Sequence, residues 1–408
     1  MRRAICAGVG VVIAAAAGAA GPVFHNLYDF NAEYALDLLS NAWDPEDRAR
    51  HRAASTAIHL SGGSLNIRHL QVREDVKVRL PVGERVSARF RRERRLGLQA
   101  GEERDLLEIE GRVAGPWHAG IFGSPAFHKA RASFGVAGAW RHREDRSVRL
   151  SVLWPDFDTN YAYKHTSVTE DHRVAYRAFP RDVRGEVVWR AERTGFALDG
   201  LWSRPWERER EDFAPSSARH VETGAQRRLA MDLSHRADRW IWSAEGECVW
   251  NEAAIAHVPT RPTEDRAVRE KSFRAIVSLE REAGSSSLRG TAAPAFFSGR
   301  QSFPGSPASD DSYVLRDWIF GVSHLPRWGT HWSAEASYYL DLQSGERRQG
   351  NVQTQRPRTQ NRGTVALRWR GEGGGGFRLA ANIELDKNES ETFFSFDGGV
   401  IQFQTVFR

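Results

Sequence analysis

From residue 64 onward, apolar and polar positions alternate with a period of two. Trp240, Trp242, Ala244, Gly246, Cys248 and Trp250 share one parity, and Glu245 and Glu247 lie on the other. Successive side chains of a β-strand point to opposite faces, so this segment reads as a strand with one apolar and one charged face. Leu107 and Ile109 alternate in the same way with Glu108, Glu110 and Arg112. So do Val148 and Leu150 with Arg149, Val187 and Trp189 with Glu186 and Arg190, and Phe273 and Val277 with Arg274 and Glu280. Trp332, Ala334 and Ala336 oppose Glu335, and Phe377, Leu379 and Ala381 oppose Arg378 and Glu384. The pattern predicts strands near 64–80, 84–95, 105–115, 117–123, 131–142, 146–155, 183–193, 196–205, 221–235, 239–251, 270–283, 286–297, 313–324, 329–342, 362–371, 375–386 and 395–407. Parity slips between Ile67 and Leu70, and Glu74 would sit on an apolar face, so a bulge or turn is expected near Glu74 and Asp75.

The connections alternate in length. Short turns fall near 143–145, 194–195, 236–238, 284–285, 325–328 and 371–374, and long segments near 156–182, 206–220, 251–269, 298–312 and 343–361. An up-and-down transmembrane barrel has this rhythm, whereas a propeller would show a regular blade period. Trp240 and Trp250 share a face ten residues apart. At ~3.3 Å per residue and a ~40° tilt they lie about 25 Å apart along the axis, the height of the apolar band between two aromatic girdles. Trp154, Trp202, Trp240, Trp250, Trp332 and Trp369 are the candidate girdle. Barrels of one bacterial chain have even strand numbers, so the seventeen segments imply an all-β, antiparallel up-and-down barrel of 16–18 strands.

The start of the chain differs. Met1-Arg2-Arg3 precedes a run of small and apolar residues from Ala4 to Ala20, which reads as a secretory signal peptide over 1–20. Leu27, Phe30, Tyr34 and Leu38 recur at helical spacing. Asp44-Pro45-Glu46-Asp47 supplies a cap, a first-turn proline and acids for a second short helix to about Ala54. Ser61-Gly62-Gly63-Ser64 reads as a flexible joint. Residues 21–63 are therefore expected to form a short helical periplasmic extension, either packed on the barrel or acting as a plug or docking handle, and 64–408 the barrel.

Composition narrows the chemistry. Lys and Arg total 58 and Asp and Glu 52, for a net charge of +6, and the mean hydropathy is −0.54. Membrane helices are excluded, but a barrel whose charges face inward is not. Cys6 lies inside the signal run, so Cys248 is the single thiol expected in a processed chain and no internal disulfide follows. The basic excess is interleaved with acids and implies no nucleic acid. Asp156-Phe157-Asp158-Thr159-Asn160 begins like a calcium loop, but Tyr161 and Ser167 stand where an EF-hand needs Gly and Glu. Neither G-x-S-x-G nor H-E-x-x-H occurs, the 14 His lack metal-ligand spacing, and no cofactor, metal or catalytic site is expected.

Ile401, Phe403, Thr405 and Phe407 share one face of the last strand, with Arg408 after them. Residues 64–408 resemble the bacterial outer-membrane β-barrel superfamily, in its porin-like form. Its members usually end in an aromatic residue within an alternating strand, read by the barrel assembly machinery. The resemblance implies outer-membrane lipid as surroundings and that machinery as partner, and leaves a homo-oligomer or a periplasmic partner open. It implies a porin-like channel for passive passage of small hydrophilic solutes or ions. A scaffold barrel housing a partner protein of a transport or electron-transfer conduit is the alternative, and a barrel hydrolase a third reading. The parity places Arg89, Arg91, Glu108, Glu110, Arg112, Arg149, Glu186, Arg190, Glu245, Glu247, Arg274, Glu280, Glu335, Arg368, Arg370, Arg378, Glu384 and Asp386 on the lumen. They are either rings that select solutes or cross-strand ion pairs that stiffen the wall. The segment 156–182, with Tyr161, Tyr163, His165 and His172, is the candidate inward-folding constriction.

Overall fold

The computed structural model describes residues 56–64, 70–96, 101–124, 133–143, 145–155, 166–168, 172–213, 218–259, 264–371, 375–385 and 395–407. Their regular structure is β, apart from one 3-10 turn at Pro307–Ser309. The first strands are β1 (Thr56–Ser64), β2 (Leu70–Pro81), β3 (Val86–Leu96), β4 (Gly101–Ala114), β5 (Trp117–Ser124), β6 (Ser133–Arg143) and β7 (Arg146–Trp154). Next come β8 (Thr166–Val168), β9 (His172–Ala178), β10 (Asp182–Arg190), β11 (Thr194–Ser203), β12 (Trp206–Asp212), β13 (Ala218–Ala237) and β14 (Trp240–Val258). The last are β15 (Arg266–Ala283), β16 (Ser286–Ser302), β17 (Asp311–Trp328), β18 (Trp332–Gln349), β19 (Val352–Arg370), β20 (Gly376–Glu384) and β21 (Ser395–Phe407).

Eighteen of these close a ring of antiparallel pairs. It runs from β1 to β7, then through β10, β11 and β13 to β21, and β21 pairs back onto β1. β9 and β12 continue β10 and β11 beyond Pro180 and Pro205, where proline has no N–H to offer the ladder, and β8 forms a hairpin with β9. Each of the seventeen expected segments has its strand in the ring. The eighteenth is β1, so the barrel wall takes up 56–63 and the expected joint at Ser61-Gly62-Gly63-Ser64 is strand. Glycines there are held by ladder bonds to both neighbours, which the local composition does not disclose. The expected helices up to Ala54 and the signal peptide lie outside the described residues.

One end of the barrel carries the tight turns, with Gly115 (φ 50°) and Gly284 (φ 60°) supplying the positive φ that two of them need. The start of β1 and the end of β21 lie at this same end. The other end is uneven. β13 to β19 are 17 to 20 residues long, whereas β5, β7 and β20 have 8 or 9. A strand of that longer class rises about 45 Å at ~3.3 Å per residue and ~40° tilt, well past a ~25 Å apolar band. The expected long loops at 251–269 and 343–361 are largely continued strand, whereas 298–312 is strand only at its two ends, with the 3-10 turn between; in 343–361, β18 and β19 pair down to Gln349 and Val352. The expected loop 156–182 likewise yields β9, whose ladder with β12 extends the wall. Tyr161, Tyr163 and His165 lie outside the described residues, as does the side chain of His172.

Glu74 does sit in mid-strand with Leu80 on its face, and no bulge or turn interrupts the β2–β3 register there. Its charge is met instead by Arg92 at 3.2 Å and Arg94 at 3.7 Å. Pairing therefore replaces the expected backbone irregularity.

Candidate functional site: the lumen and its belts

The barrel wall is polar inside and apolar outside. Leu107, Ile109, Leu150, Val277, Phe320, Val322, Leu379 and Ile401 are exposed on the outer face, whereas Glu108, Glu110, Glu280, Glu335, Arg368 and Arg378 are buried on the inner one. A water-soluble sheet places its residues the other way round; lipid is the solvent that accepts this exterior. Near the tight turns the outer face carries exposed Trp117, Trp189, Trp240, Trp328, Trp332 and Trp369. Trp332 stands directly opposite Trp369, and Trp117 opposite Trp140. Higher up lie Trp202, Trp250 and Trp318, with Trp154 stacked on Phe134 at 6.2 Å. The sequence reading omitted Trp117, Trp140, Trp189 and Trp318, although each has the parity of its lipid-facing neighbours.

Inside, two ion networks stand out. The first joins β2 to β7, β10 and β11. Glu186 receives Arg91 and Arg149, both at 3.2 Å, and Arg184 at 3.1 Å. Arg149 also reaches Glu108 at 2.9 Å, with Arg89 3.9 Å from the same carboxylate. Glu110 holds Arg141 through two bonds of 2.6 and 3.0 Å, His118 at 3.1 Å and Arg79 at 3.9 Å. Arg184 bonds Asp199. β3 and β10 are five steps apart around the ring of eighteen, so the Arg91–Glu186 contact bridges a sector of the inner wall rather than one ladder. The cleft beside it is lined by Arg89, Arg91, Phe122, Arg149, Arg184 and Leu201 among others.

The second network lies on β15, β16 and β18 to β20. Glu335 binds Arg368, Arg378 at 3.2 Å and Ser337 at 2.9 Å, and the side chains of Glu335 and Arg378 are 0% exposed. Glu280 binds Arg289 at 2.9 Å and Ser287 at 2.6 Å. A smaller group joins Arg228 at 2.5 Å and Arg274 to Glu247, with Glu245 half-buried on the same parity.

Of the expected residues, Arg89, Arg91, Glu108, Glu110, Arg149, Glu186, Glu247, Arg274, Glu280, Glu335, Arg368 and Arg378 take part in these clusters. Arg190 is half-buried on the inner parity of β10. Arg112 is exposed at the turn end, where its Nε donates to the Gly115 carbonyl at 2.9 Å, and Arg370 is exposed at the turn end of β19. The Glu384 side chain and all of Asp386 lie outside the described residues. Arg79, Arg141, Arg184, Asp199 and Arg289 were missed. Arg184 was within reach, being two positions from Glu186 on one face.

A third cluster lies on the extended wall. Glu222, fifteen residues above the turn end of β13 at Ala237, binds Arg208, and His220 at 2.9 Å. Burial pushes its carboxyl up, but His220 and Arg208 outweigh this and hold it down, from 4.5 to about 2. A depressed carboxylate contributes stability fully above pH 4.5, and loses it as pH falls toward about 2. Glu222→Gln is expected to weaken hydrogen-exchange protection of β12 and β13 at neutral pH by roughly 2–3 kcal/mol, and to flatten its acid dependence. Equal acid profiles for both proteins would refute the assignment.

Closed ring, reversed polarity, double aromatic belt and short turns at the end that holds both terminal strands define a bacterial outer-membrane β-barrel of porin-like architecture. No protein-family model matches the chain, and no curated protein matches its sequence. Among solved structures it is similar to a loop L8 deletion mutant of OmpT, an outer membrane protein of Vibrio cholerae, with 9% identity over 86% of this chain and 97% of that one and a TM-score of 0.36. It is similar also to OccK10 of Pseudomonas aeruginosa, with 8% identity, coverage of 87% and 98% and a TM-score of 0.38. A BenF-like porin from Pseudomonas fluorescens gives 8%, 86% and 97%, and 0.38. The class rests on the chain's own geometry.

Proposed function

We propose that this barrel is a passive channel for small hydrophilic solutes or ions, and not an enzyme. The observation that carries the reading is the inner face: guanidinium and carboxylate groups line it on strands whose outer faces are apolar. Fixed charges along a confined path set which solutes pass, and the Arg91–Glu186 contact holds one such pair together between strands that are not neighbours. Purified, folded protein inserted into planar bilayers is expected to give discrete ion-conducting steps. Repeated insertion without conductance would overturn the reading.

The second reading is a scaffold that sheathes or anchors a partner protein. It is favoured by the complete burial of Arg378, Gln402 and Glu335, since a filled sector supports a wall better than it passes solute. A non-conducting barrel that co-purifies with one periplasmic or surface protein in stoichiometric amount would establish it in place of the channel.

A further inference from the structure

Ten residues above the turn end, five successive strands present an exposed apolar residue to the outside. They are Trp250, Phe273, Phe296, Trp318 and Leu342, counted from Trp240, Ala283, Ser286, Trp328 and Trp332. This row marks the upper edge of the apolar band, about 25 Å above the lower belt. The next outward positions change character. Lys271 and Arg269 follow Phe273 on β15, Arg300 lies four residues above Phe296 on β16, and Arg316 two above Trp318 on β17, all exposed.

Arg269 and Arg300 are direct cross-strand partners, an arrangement of like charges that costs stability by itself. Carboxylates do not cancel it. Glu252 is 3.8 Å from Arg269 with both side chains more than 60% exposed, and Asp310 is 3.5 Å from Arg300, itself 70% exposed. Such solvated pairs hold little energy. Four cations against these two acids and the exposed Glu346 of β18 thus stand at headgroup height, on a face that lipid must cover.

We propose that Lys271, Arg269, Arg300 and Arg316 bind the phosphate groups of outer-leaflet lipid headgroups. Arginine forks match phosphate oxygens through paired N–H bonds, and the adjoining Phe273, Phe296 and Trp318 give the same lipid's acyl chains an apolar surface. A phosphate between Arg269 and Arg300 also relieves their mutual repulsion. The patch fixes one sector of the barrel against the outer leaflet, independently of what the lumen carries.

The test uses the full chain, folded in neutral detergent. It is offered an acylated glucosamine disaccharide with two phosphates, or the same lipid with both phosphates removed, and bound lipid is counted by native mass spectrometry. The wild type is expected to retain the phosphorylated lipid at least about tenfold better, since each surface cation near an anionic headgroup contributes on the order of a fivefold preference. Arg269→Gln/Arg300→Gln/Arg316→Gln should remove that preference, and the matching triple Arg→Lys protein should keep most of it. Equal retention of the two lipids by the wild type would overturn the proposal, whatever the variants do. So would an unchanged preference in a folded glutamine variant. Displacement of the lipid by an equal concentration of inorganic phosphate would reduce the patch to a free-anion site and overturn it as a lipid site.

Discussion

Glu335→Ala is expected to destabilise the barrel by about 3–5 kcal/mol, the cost of breaking a buried ion network by removing one partner. The carboxylate is fully buried on β18 and receives Arg368 from β19 and Arg378 from β20. Alanine leaves two adjoining guanidiniums without the anion that drew them together, one of them with no exposure at all. Their repulsion then acts in a medium that screens poorly. A double variant, Glu335→Leu/Arg378→Met, removes one charge of each sign and fills similar volume, so it should cost less than the single change. Urea unfolding in detergent micelles, followed by the shift in gel mobility between folded and heated barrel, measures both. A Glu335→Ala protein within about 1 kcal/mol of wild type would show that the network contributes little to stability.

Glu335 was legible in the sequence because alternation needs only its near neighbours: Ala334 and Ala336 face lipid, so Glu335 faces in. The same local rule located seventeen strands. It failed where the deciding contact is distant. β1 was overlooked because Gly62 and Gly63 lack strand propensity, and it forms because β2 and β21 need it to close the ring. The tops of β18 and β19 read as loop because Arg347, Arg348, Gln353 and Gln355 put polar groups on both faces. Above the apolar band both faces of a wall touch water, so alternation fades while the ladder continues. Partner choice was hidden for the same reason: Arg91 and Glu186 are 95 residues apart and meet only once the wall has curled. The Glu74 site shows the converse, since Arg92 and Arg94 are near in sequence, yet their pairing with Glu74 depends on the β2–β3 register.

The largest expected effect on transport is a loss of anion preference in Arg89→Gln/Arg91→Gln. Around the Arg91–Glu186 contact, Arg79, Arg89, Arg91, Arg141, Arg149 and Arg184 face Glu108, Glu110, Glu186, Asp199 and Asp182, six cations against five anions. In a narrow path with poorly screening walls, such an excess raises the local concentration of anions and repels cations. Neutralising Arg89 and Arg91 turns the excess of one cation into a deficit, while Glu108 keeps Arg149 and Glu186 keeps Arg149 and Arg184, so no buried carboxylate is stranded. The chloride-to-potassium permeability ratio should fall about tenfold, an energy of about 1.4 kcal/mol. Glu186→Gln enlarges the excess and should move the ratio the other way. Reversal potentials in a potassium chloride gradient separate the cases. If all three proteins reverse at one potential, the cluster stiffens the wall and the solute path runs elsewhere in the lumen. Opposite shifts in the two variants place the cluster on the path, because a purely structural ion network would not respond to the sign of the charge removed.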